Sequence, residues 1–424
     1  MNEVIRRAPN LKWTDEFHLS HDRVSLEDTI SPSFFARETE AIFQRSWLYI
    51  GRVERVASPG AYFTKELESL KTSLLVTRDK ENNLRVFHNV CPHRGNKLVW
   101  DTYADRETAG RCKRFACKFH GIGFGLDGDV ERLPDAIAWL DDQARDLHLA
   151  EVPFGVWYGF IFVNLTPGGP KQSLREFIGD EYWTGFDNFD FSARSENYSF
   201  QANADANWKA LMDGFSEVYH GATTHKLPFA IPPIEEMAPG ATHLVDIAIR
   251  DHHRYYLAAR HPRFNFDYER ETNALATGPR YEFPEGFDVL PRAANPVGFP
   301  NWGTSSHMFW PNLYIQFYYP GWYVTYVMQP LAYNKMRFEL NIYMPKPRKF
   351  SEMLAQKSCA LQFVEAGLQD FSLLEAQQLG LEARAFENYP FTDQEVCLRD
   401  FHEKIQAAVT AHERERREAE HSRA

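Results

Sequence analysis

The chain has 424 residues, of which 44% are hydrophobic and 25% are charged, and its formal net charge is −11. Because one hydrophobic core usually stops growing at about 250–300 residues, this length favours two domains. The acidic balance, without any basic block, excludes a nucleic-acid-binding protein of the usual kind, and no apolar run reaches the roughly 18 residues of a membrane helix.

Five cysteines are too few, and odd in number, for a disulfide framework in a chain of this length. Such a count is typical of a reducing compartment, where thiols bind metal or stay buried. The chain starts with polar residues and lacks an apolar leader stretch. We therefore expect a soluble cytoplasmic protein with neither membrane nor nucleic-acid partners, in which Cys359 and Cys397 belong to the core.

Residues 1–44 are predicted to be mostly helical. Ser31-Pro32, followed by Phe34, predicts a helix with a serine cap and with proline in its first turn. The segment is polar, and we expect it to pack on a larger domain.

From about residue 45 the pattern changes to short β-type runs separated by Gly, Pro and Asn. Residues 73–77 and 84–87 are predicted strands, and 156–163 is predicted to be a single closing strand. Residues 167–170, Pro-Gly-Gly-Pro, are typical of a linker. The sequence therefore predicts a small antiparallel β domain over 45–165.

The following segment, 166–410, mixes helix and strand. Residues 313–318, 322–328 and 336–343 predict an antiparallel meander, and 351–382 have apolar positions at helical spacing. The tail, 411–424, is almost entirely charged or small, and we expect it to fray. The predicted fold class is α+β.

Two Cys/His pairs lie within thirty residues in the β domain. Cys91-Pro-His93 follows one predicted strand, and Cys117-Lys-Phe-His120 follows another. Two thiolates and two imidazoles can hold either one tetrahedral zinc or a [2Fe–2S] centre with Cys on one iron and His on the other. Cys112 is a rival for Cys117, but only Cys117 has the Cys-x-x-His spacing.

A second group of candidate ligands lies in residues 207–225. On a helix, Glu217 and His220 share one face, and Gly221 can loosen the next turn so that His225 reaches the same point. Two histidines and one carboxylate on one face form the site that mononuclear iron uses for oxygen chemistry. The alternative is an ordinary helix with surface histidines. Asp251-His252-His253 also resembles a metal site, but we interpret it as a solvated turn.

The carboxylate ligand must come from elsewhere in the chain. Asp370 is the best candidate, on a predicted helix that could pack antiparallel to the first. Glu365 and Glu375 lie nearby, and spacing alone does not choose among the three.

Three segments, in order, resemble the Rieske non-haem iron oxygenases, which are the terminal oxygenase (α) subunits of ring-hydroxylating dioxygenases and related monooxygenases. The segments are Cys-x-His-Arg-Gly with Cys-x-x-His-Gly; Asn-Trp-Lys, a carboxylate, then Tyr-His and a second His; and Asp with Glu, Gln and Gly five, eight and ten residues later. They correspond here to Cys91, His93, Cys117 and His120; to Glu217, His220 and His225; and to Asp370, Glu375, Gln378 and Gly380. The resemblance covers nearly the whole chain.

This resemblance implies a small all-β Rieske domain and a larger helix-grip catalytic domain, with an antiparallel sheet and flanking helices. The implied [2Fe–2S] ligands are Cys91, His93, Cys117 and His120. The implied Fe(II) ligands are His220, His225 and Asp370. Electrons would come from NAD(P)H indirectly, through a ferredoxin or a flavin reductase, because His ligands give a Rieske cluster a high potential.

The resemblance also implies a homotrimer in which the cluster of one subunit faces the iron of the next, and an α3β3 assembly is the alternative. Glu217 would bridge the two histidines across that interface. The bridging residue is usually Asp, so Glu217 is one methylene longer. Asp213 stands where ring dioxygenases often have Asn, and we predict it to be catalytic together with Glu217.

The predicted activity is hydroxylation, dihydroxylation or dealkylation of a small apolar or aromatic substrate with O2, as in aromatic hydrocarbon catabolism. Abundant aromatic residues such as Tyr255, Tyr256, Phe309, Trp310 and Phe317 could line a cavity for it. The alternatives are an electron carrier or redox sensor that keeps the cluster without oxygenase turnover, and a zinc-stabilised binding module.

Overall fold

The computed structural model describes residues 12–140, 147–225, 243–259, 289–300, 302–318 and 322–422. The chain divides into two compact units. The small unit is Phe43–Phe177, and the large unit combines Met1–Ile42 with Ile178–Ala424.

The N-terminal segment belongs to the large unit. Its elements are α1 (Trp13–Glu16), β1 (Val24–Ser25), α2 (Glu27–Ile30) and α3 (Pro32–Glu38). The start of α3 confirms the predicted cap, because Ser31 Oγ accepts from the Phe34 N–H at 3.2 Å and Pro32 occupies the first helical position. Proline is tolerated there because that N–H has no partner within the helix.

The small unit is built from antiparallel strands, as predicted. Its elements are β2 (Trp47–Arg52), β3 (Ala61–Leu67), β4 (Thr72–Arg78), β5 (Leu84–His88), β6 (Ala109–Arg111), β7 (Phe115–Ala116), β8 (Gly123–Phe124), β9 (Val130–Arg132), β10 (Phe154–Trp157), β11 (Phe160–Asn164) and α4 (Leu174–Ile178). The strands form sheets in the orders β5-β4-β3-β6, β10-β11-β2 and β7-β8-β9. Cys91 and Cys117 lie in a buried core together with residues of β4, β5, β7 and β8.

The single closing strand predicted over 156–163 is wrong. The run is a hairpin in which β10 pairs antiparallel with β11. Tyr158 and Gly159 both have positive φ, 46° and 83°, as a two-residue hairpin turn requires. The sequence hid this turn because a tyrosine rarely adopts that conformation.

The large unit contains a seven-stranded antiparallel sheet. Its remaining elements are α5 (Asp180–Gly185), β12 (Arg194–Ala204), α6 (Trp208–Gly214), α7 (Gly221–Thr224), β13 (Leu244–Arg250), β14 (His253–Ala259), β15 (Trp302–Phe309), β16 (Leu313–Tyr318), β17 (Trp322–Ala332), β18 (Lys335–Pro345), α8 (Phe350–Glu382), β19 (Asn388–Tyr389) and α9 (Val396–His421). The strand order is β12-β18-β17-β16-β15-β14-β13, so β16, β17 and β18 form the predicted meander. Helix α8 packs against β12 and α6. This α+β architecture confirms the predicted fold class.

The two faces of this sheet contact different helices, because alternate side chains on a strand point to opposite sides. On one face Tyr326 stacks on Phe215 at 4.5 Å, just beyond α6. On the other, Phe317 stacks on Phe186 at 5.5 Å, just beyond α5. Of the predicted cavity-lining residues, Tyr256 therefore lies on the α6 face, where its hydroxyl donates to the Phe215 carbonyl at 2.9 Å.

The charged C-terminal segment is helical to His421, so the predicted fraying is wrong for the described part of it. Ion pairs with the N-terminal segment hold it, including Arg37 with Glu413 at 2.6 Å and Glu40 with Arg416 at 3.2 Å. These partners are more than 370 residues apart, and local sequence pattern does not reveal them.

Within the described residues, no helix combines the length and apolar character needed to cross a membrane.

Candidate metal centres

The two Cys/His loops of the small unit share one backbone geometry. In each, the cysteine N–H donates at 2.8 Å to the carbonyl five residues on, that of Asn96 or Ile122. The glycine four residues on donates back to the cysteine carbonyl, and Gly95 and Gly121 have φ values of +73° and +75°. Only glycine adopts this conformation readily, which explains why both motifs contain it.

The loops bring the four predicted cluster residues together. Cys91 and Cys117 are 1% and 2% exposed, and burial raises the pKa of the Cys91 thiol. The imidazole rings of His93 and His120 lie 4.8 Å apart. His93 Nδ1 is buried without a hydrogen-bond partner among the described residues. Such an orphaned nitrogen fits a metal ligand, since buried polar atoms otherwise find partners.

The ligand atoms of these loops do not fit one zinc ion. Around a tetrahedral ion with bonds of about 2.0–2.3 Å, all four ligand atoms lie within roughly 4 Å of one another. In the part of the chain that the structure describes, only His220, His225 and Asp370 form a group of three or more such atoms within 4.8 Å. A two-iron cluster, which separates the cysteine pair from the histidine pair, fits better.

The second group lies after α6. Helix α6 ends at Gly214, so the continuous helix predicted through Glu217 and His220 is wrong. Ser216 Oγ donates to the Met212 carbonyl at 2.6 Å and also bonds the hydroxyl of Tyr314 on the sheet. The Tyr256 hydroxyl also donates to the Phe215 carbonyl. The carbonyls of Met212 and Phe215 therefore accept hydrogen bonds from side chains instead of from backbone N–H groups of a further helical turn.

Three predicted iron ligands converge beyond this point. His220 Nε2 lies 3.3 Å from His225 Nε2, and Asp370 Oδ1 lies 3.5 Å and 3.1 Å from these two nitrogens. A divalent first-row metal binds such atoms at about 2.0–2.2 Å, which places ligands at right angles about 3 Å apart. The separations fit three protein ligands on one side of one ion.

Each imidazole is oriented through its other nitrogen. His220 Nδ1 bonds Glu217 Oε1, and His225 Nδ1 lies 3.1 Å from Gln369 Oε1. An acceptor at Nδ1 holds the proton there and leaves the Nε2 lone pair for a metal. Burial lowers the pKa of His220, but the hydrogen bond and charge of Glu217 and the charge of Asp370 raise it overall.

The C-terminal motif around Asp370 has a visible structural role. Glu375 Oε1 accepts from the Asp205 N–H at 3.2 Å, and Gln378 Oε1 accepts from the Asn207 N–H at 2.9 Å. Asn207 in turn caps α6 by accepting from the Lys209 N–H. Helix α8 thus provides the carboxylate of the candidate iron site and also anchors the start of the helix that leads to its histidines.

Asp213, predicted to be catalytic, is outside this metal-ligating group. Asp213 lies in the last turn of α6, and both of its carboxylate oxygens lie 3.2 Å from His402 Nε2. Residue identity at one position could not reveal this partner, which lies 189 residues away.

Other predictions divide. Cys359 and Cys397 are buried, as expected. Asp251 and His252 form a turn, but His253 is 2% exposed and its Nδ1 accepts from the Trp310 N–H at 3.1 Å. Interpreting His253 as solvated is therefore wrong.

Comparison with known proteins identifies the family of this chain. Residues 191–411 match the family model described as the ring-hydroxylating alpha subunit (catalytic domain), and 46–142 match that of the Rieske [2Fe-2S] domain. Choline monooxygenase from the chloroplast of Amaranthus tricolor is 25% identical over 406 residues, 91% of this chain and 79% of that protein.

Two further relatives extend the comparison. The large oxygenase component of the naphthalene 1,2-dioxygenase system of Pseudomonas aeruginosa is 33% identical over 198 residues, 45% of this chain and 42% of that protein. A solved structure of a quaternary ammonium Rieske monooxygenase with an inhibitor superposes with a TM-score of 0.70 at 16% identity, covering 91% of this chain and 94% of that one. This last likeness concerns the fold alone.

Proposed function

Because the chain belongs to the ring-hydroxylating oxygenase α subunits, oxidoreductases of the Rieske non-haem iron type, we propose that it hydroxylates, dihydroxylates or dealkylates a small apolar or aromatic molecule with O2. The observation that carries the proposal is the convergence of His220, His225 and Asp370.

In this proposal the small unit holds a [2Fe–2S] cluster and the large unit one Fe(II). The cluster ligands are Cys91, His93, Cys117 and His120. The buried thiols and the orphaned His93 nitrogen support this assignment. The iron ligands are His220, His225 and Asp370, whose three atoms face one point.

The bound groups supply one-electron transfer and activation of O2. For hydroxylation, one C–H bond is replaced by a C–O bond, and two electrons and two protons reduce the second oxygen atom to water. NAD(P)H supplies the electrons indirectly, through a ferredoxin or a flavin reductase. The protein keeps both imidazoles in one tautomer. Three protein ligands would leave other coordination positions of the ion for small molecules.

Glu217 is proposed to link the two centres across a homotrimer, from His220 to a cluster histidine of the next subunit. Glu217 is 8% exposed, and its carboxylate already bonds His220 Nδ1. The second oxygen accepts from the Tyr219 and His220 N–H groups, the latter at 3.1 Å. In the proposed trimer, this oxygen would also accept a hydrogen bond from the cluster histidine of the next subunit.

The substrate is proposed to be aromatic or apolar, because aromatic side chains such as Tyr326 and Phe215 pack on the α6 face of the sheet. Relatives named choline monooxygenases align over most of the chain. Quaternary ammonium compounds are therefore the second candidate class, and both classes belong in one substrate panel.

A pure electron carrier would need only the small unit, whereas this chain also has three convergent ligands in the large unit. The test is metal analysis and low-temperature EPR of the reduced protein, followed by product analysis with 18O2 and chemically reduced enzyme. We expect about three irons per chain, a Rieske signal and one labelled oxygen atom per hydroxyl group formed.

The variant His220→Ala should lose about one iron and all product while keeping the Rieske signal. His252→Ala, which changes a histidine in the turn between β13 and β14, is the matched control and should keep both. A protein with only cluster iron and no labelled product over the whole panel would contradict the proposal.

A further inference from the structure

His402, on α9, joins two carboxylates from distant parts of the chain. Its Nδ1 lies 2.6 Å from Asp28 Oδ2, and its Nε2 lies 3.2 Å from both Asp213 oxygens. Asp28 is 0% and His402 1% exposed. The N-terminal segment, α6 and α9 therefore meet at one buried imidazole.

Both nitrogens of this ring face groups that only accept hydrogen bonds when ionised. A neutral imidazole has one N–H donor, whereas an imidazolium has two, so the charged form fits both contacts. Burial lowers the pKa of His402, but the charges of Asp28 and Asp213 and their hydrogen bonds raise it to about 10. The His402 imidazolium thus forms hydrogen-bonded ion pairs with Asp28 and Asp213, and we call these three residues the clamp.

A second buried charge pair acts on the same helix. Lys209 Nζ donates to Glu38 Oε2 at 2.7 Å, and the indole N–H of Trp208 donates to Glu38 Oε1 at 2.8 Å. Lys209 and Asp213 are four residues apart and so lie on one face of α6. Charges from the N-terminal segment and α9 therefore fix α6 at both its ends.

A short segment, held by hydrogen bonds to the sheet, connects the end of α6 with the candidate iron site. Three residues separate Asp213 from Glu217, and Tyr256 and Tyr314 hold Phe215 and Ser216 from the sheet side. A displacement of Asp213 would therefore reach Glu217 and His220 rather than be absorbed by a flexible loop.

We propose that His402 is a positioning residue for the mononuclear iron site, acting through Asp213 and the segment that ends at His220. This inference rests on the proposed function. The alternative is that the clamp only stabilises the fold.

The experiment compares His402→Gln with Asp400→Asn. Asp400 lies two residues earlier on α9 and forms an ion pair with Arg254 in which both side chains are buried, so its loss also removes a buried charge. The readouts are the Fe(II) dissociation constant of the large-unit site and the EPR spectrum of the Fe(II)–nitric oxide complex. The Rieske signal of the same sample reports that the small unit is intact.

We expect His402→Gln to weaken Fe(II) binding about tenfold and to change the nitric oxide spectrum. Asp400→Asn should lower the melting temperature but leave both readouts unchanged. Adding Asp213→Asn to His402→Gln changes the other side of the same contact, so the double variant should bind Fe(II) no more weakly than His402→Gln alone.

Unchanged affinity and spectrum in His402→Gln would overturn the inference, as would equal changes in both single variants. Should His402→Gln fail to fold, Asp28→Asn, which keeps a side-chain oxygen toward the imidazole but removes a charge, takes its place with the same expectation. A wild-type protein without any Fe(II)–nitric oxide signal would instead refute the proposed function.

Discussion

Nδ1 of His225 lies 3.1 Å from Oε1 of Gln369, the residue directly before Asp370 on α8. Two neighbouring residues of one helix therefore contribute to the same candidate site, Asp370 as a proposed ligand and Gln369 as the acceptor that orients a second proposed ligand, His225. A neutral amide performs for His225 what the Glu217 carboxylate performs for His220.

Replacing Gln369 tests this orientation. Gln369→Leu removes the acceptor, frees the tautomer of His225 and should weaken Fe(II) binding about 10- to 100-fold. Gln369→Glu keeps an acceptor and should stay close to wild type. The measurement is Fe(II) titration of protein with an intact cluster. Gln377→Leu, at an exposed position of the same helix, is the control, and equal affinities in all variants would contradict the role of Gln369.

Removing the Glu217 carboxylate should separate metal binding from electron transfer. Glu217→Ala should weaken Fe(II) binding as Gln369→Leu does, because His220 loses its Nδ1 acceptor. Loaded with excess Fe(II), it should keep both metals but slow reoxidation of the reduced cluster about 100-fold, because the proposed link between the histidines is lost. Stopped-flow absorbance of the cluster, mixed with O2 and substrate, measures the rate. Glu217→Asp restores the residue usual in the family and should retain part of the reoxidation rate of the wild type. Loss of the cluster signal in Glu217→Ala would refute this division of roles.

Serine substitutions at two cysteines test the assignment of cluster ligands. Cys117→Ser should abolish the Rieske EPR signal and the brown colour, since the buried thiol is a proposed ligand. Cys112→Ser should preserve both, because Cys112 lies outside the Cys-x-x-His spacing. The reverse result would exchange their roles.

The stability that His402 contributes should depend on pH. Its pKa is about 10 in the folded chain, where two carboxylates outweigh the effect of burial, and about 6.5 when unfolded. The folded state therefore binds the extra proton more tightly, so the contribution is complete below about pH 6.5 and disappears as the pH rises through 10. Melting curves of wild type and His402→Gln should differ most at pH 6 and least above pH 10.

The groups that face this site, Asp28, Asp213, Lys209 and Tyr389, are present in both proteins, but burial raises the pKa of Asp28 and of Asp213 while the charge and hydrogen bonds of His402 lower it. The pH-dependent difference therefore reports His402 together with its two carboxylates. A melting-temperature difference that stays constant from pH 6 to pH 10 would show that His402 is not charged in the fold.

The sequence predicted the residues whose chemistry is local. Cys91 and Cys117 each lie in a short motif with a histidine and a glycine, and the glycines are required by backbone geometry that the motif itself creates. The strands of the meander were predicted for a similar reason, because their alternation and turns are short-range. Asp370 could be chosen only by resemblance, since its contact with His220 spans 150 residues.

What the sequence did not predict depends on tertiary partners. Helix α6 ends at Gly214, where side chains replace backbone hydrogen bonds. The Ser216 hydroxyl bonds the Met212 carbonyl and the Tyr314 hydroxyl, and the Tyr256 hydroxyl donates to the Phe215 carbonyl. The pairing of His402 with Asp28 and Asp213 joins residues 374 and 189 positions apart. No pattern within a window of residues contains such information.

Helix α8 connects the carboxylate of the candidate iron site mechanically with its histidines. Asp370 and Gln378 are eight residues apart, about 12 Å along the helix axis, and Gln378 holds the start of α6. When thermal motion shifts α8, the carboxylate and the anchor of α6 move together as one rigid rod. The geometry between the three ligands can therefore survive motions that would pull apart a site built on independent loops.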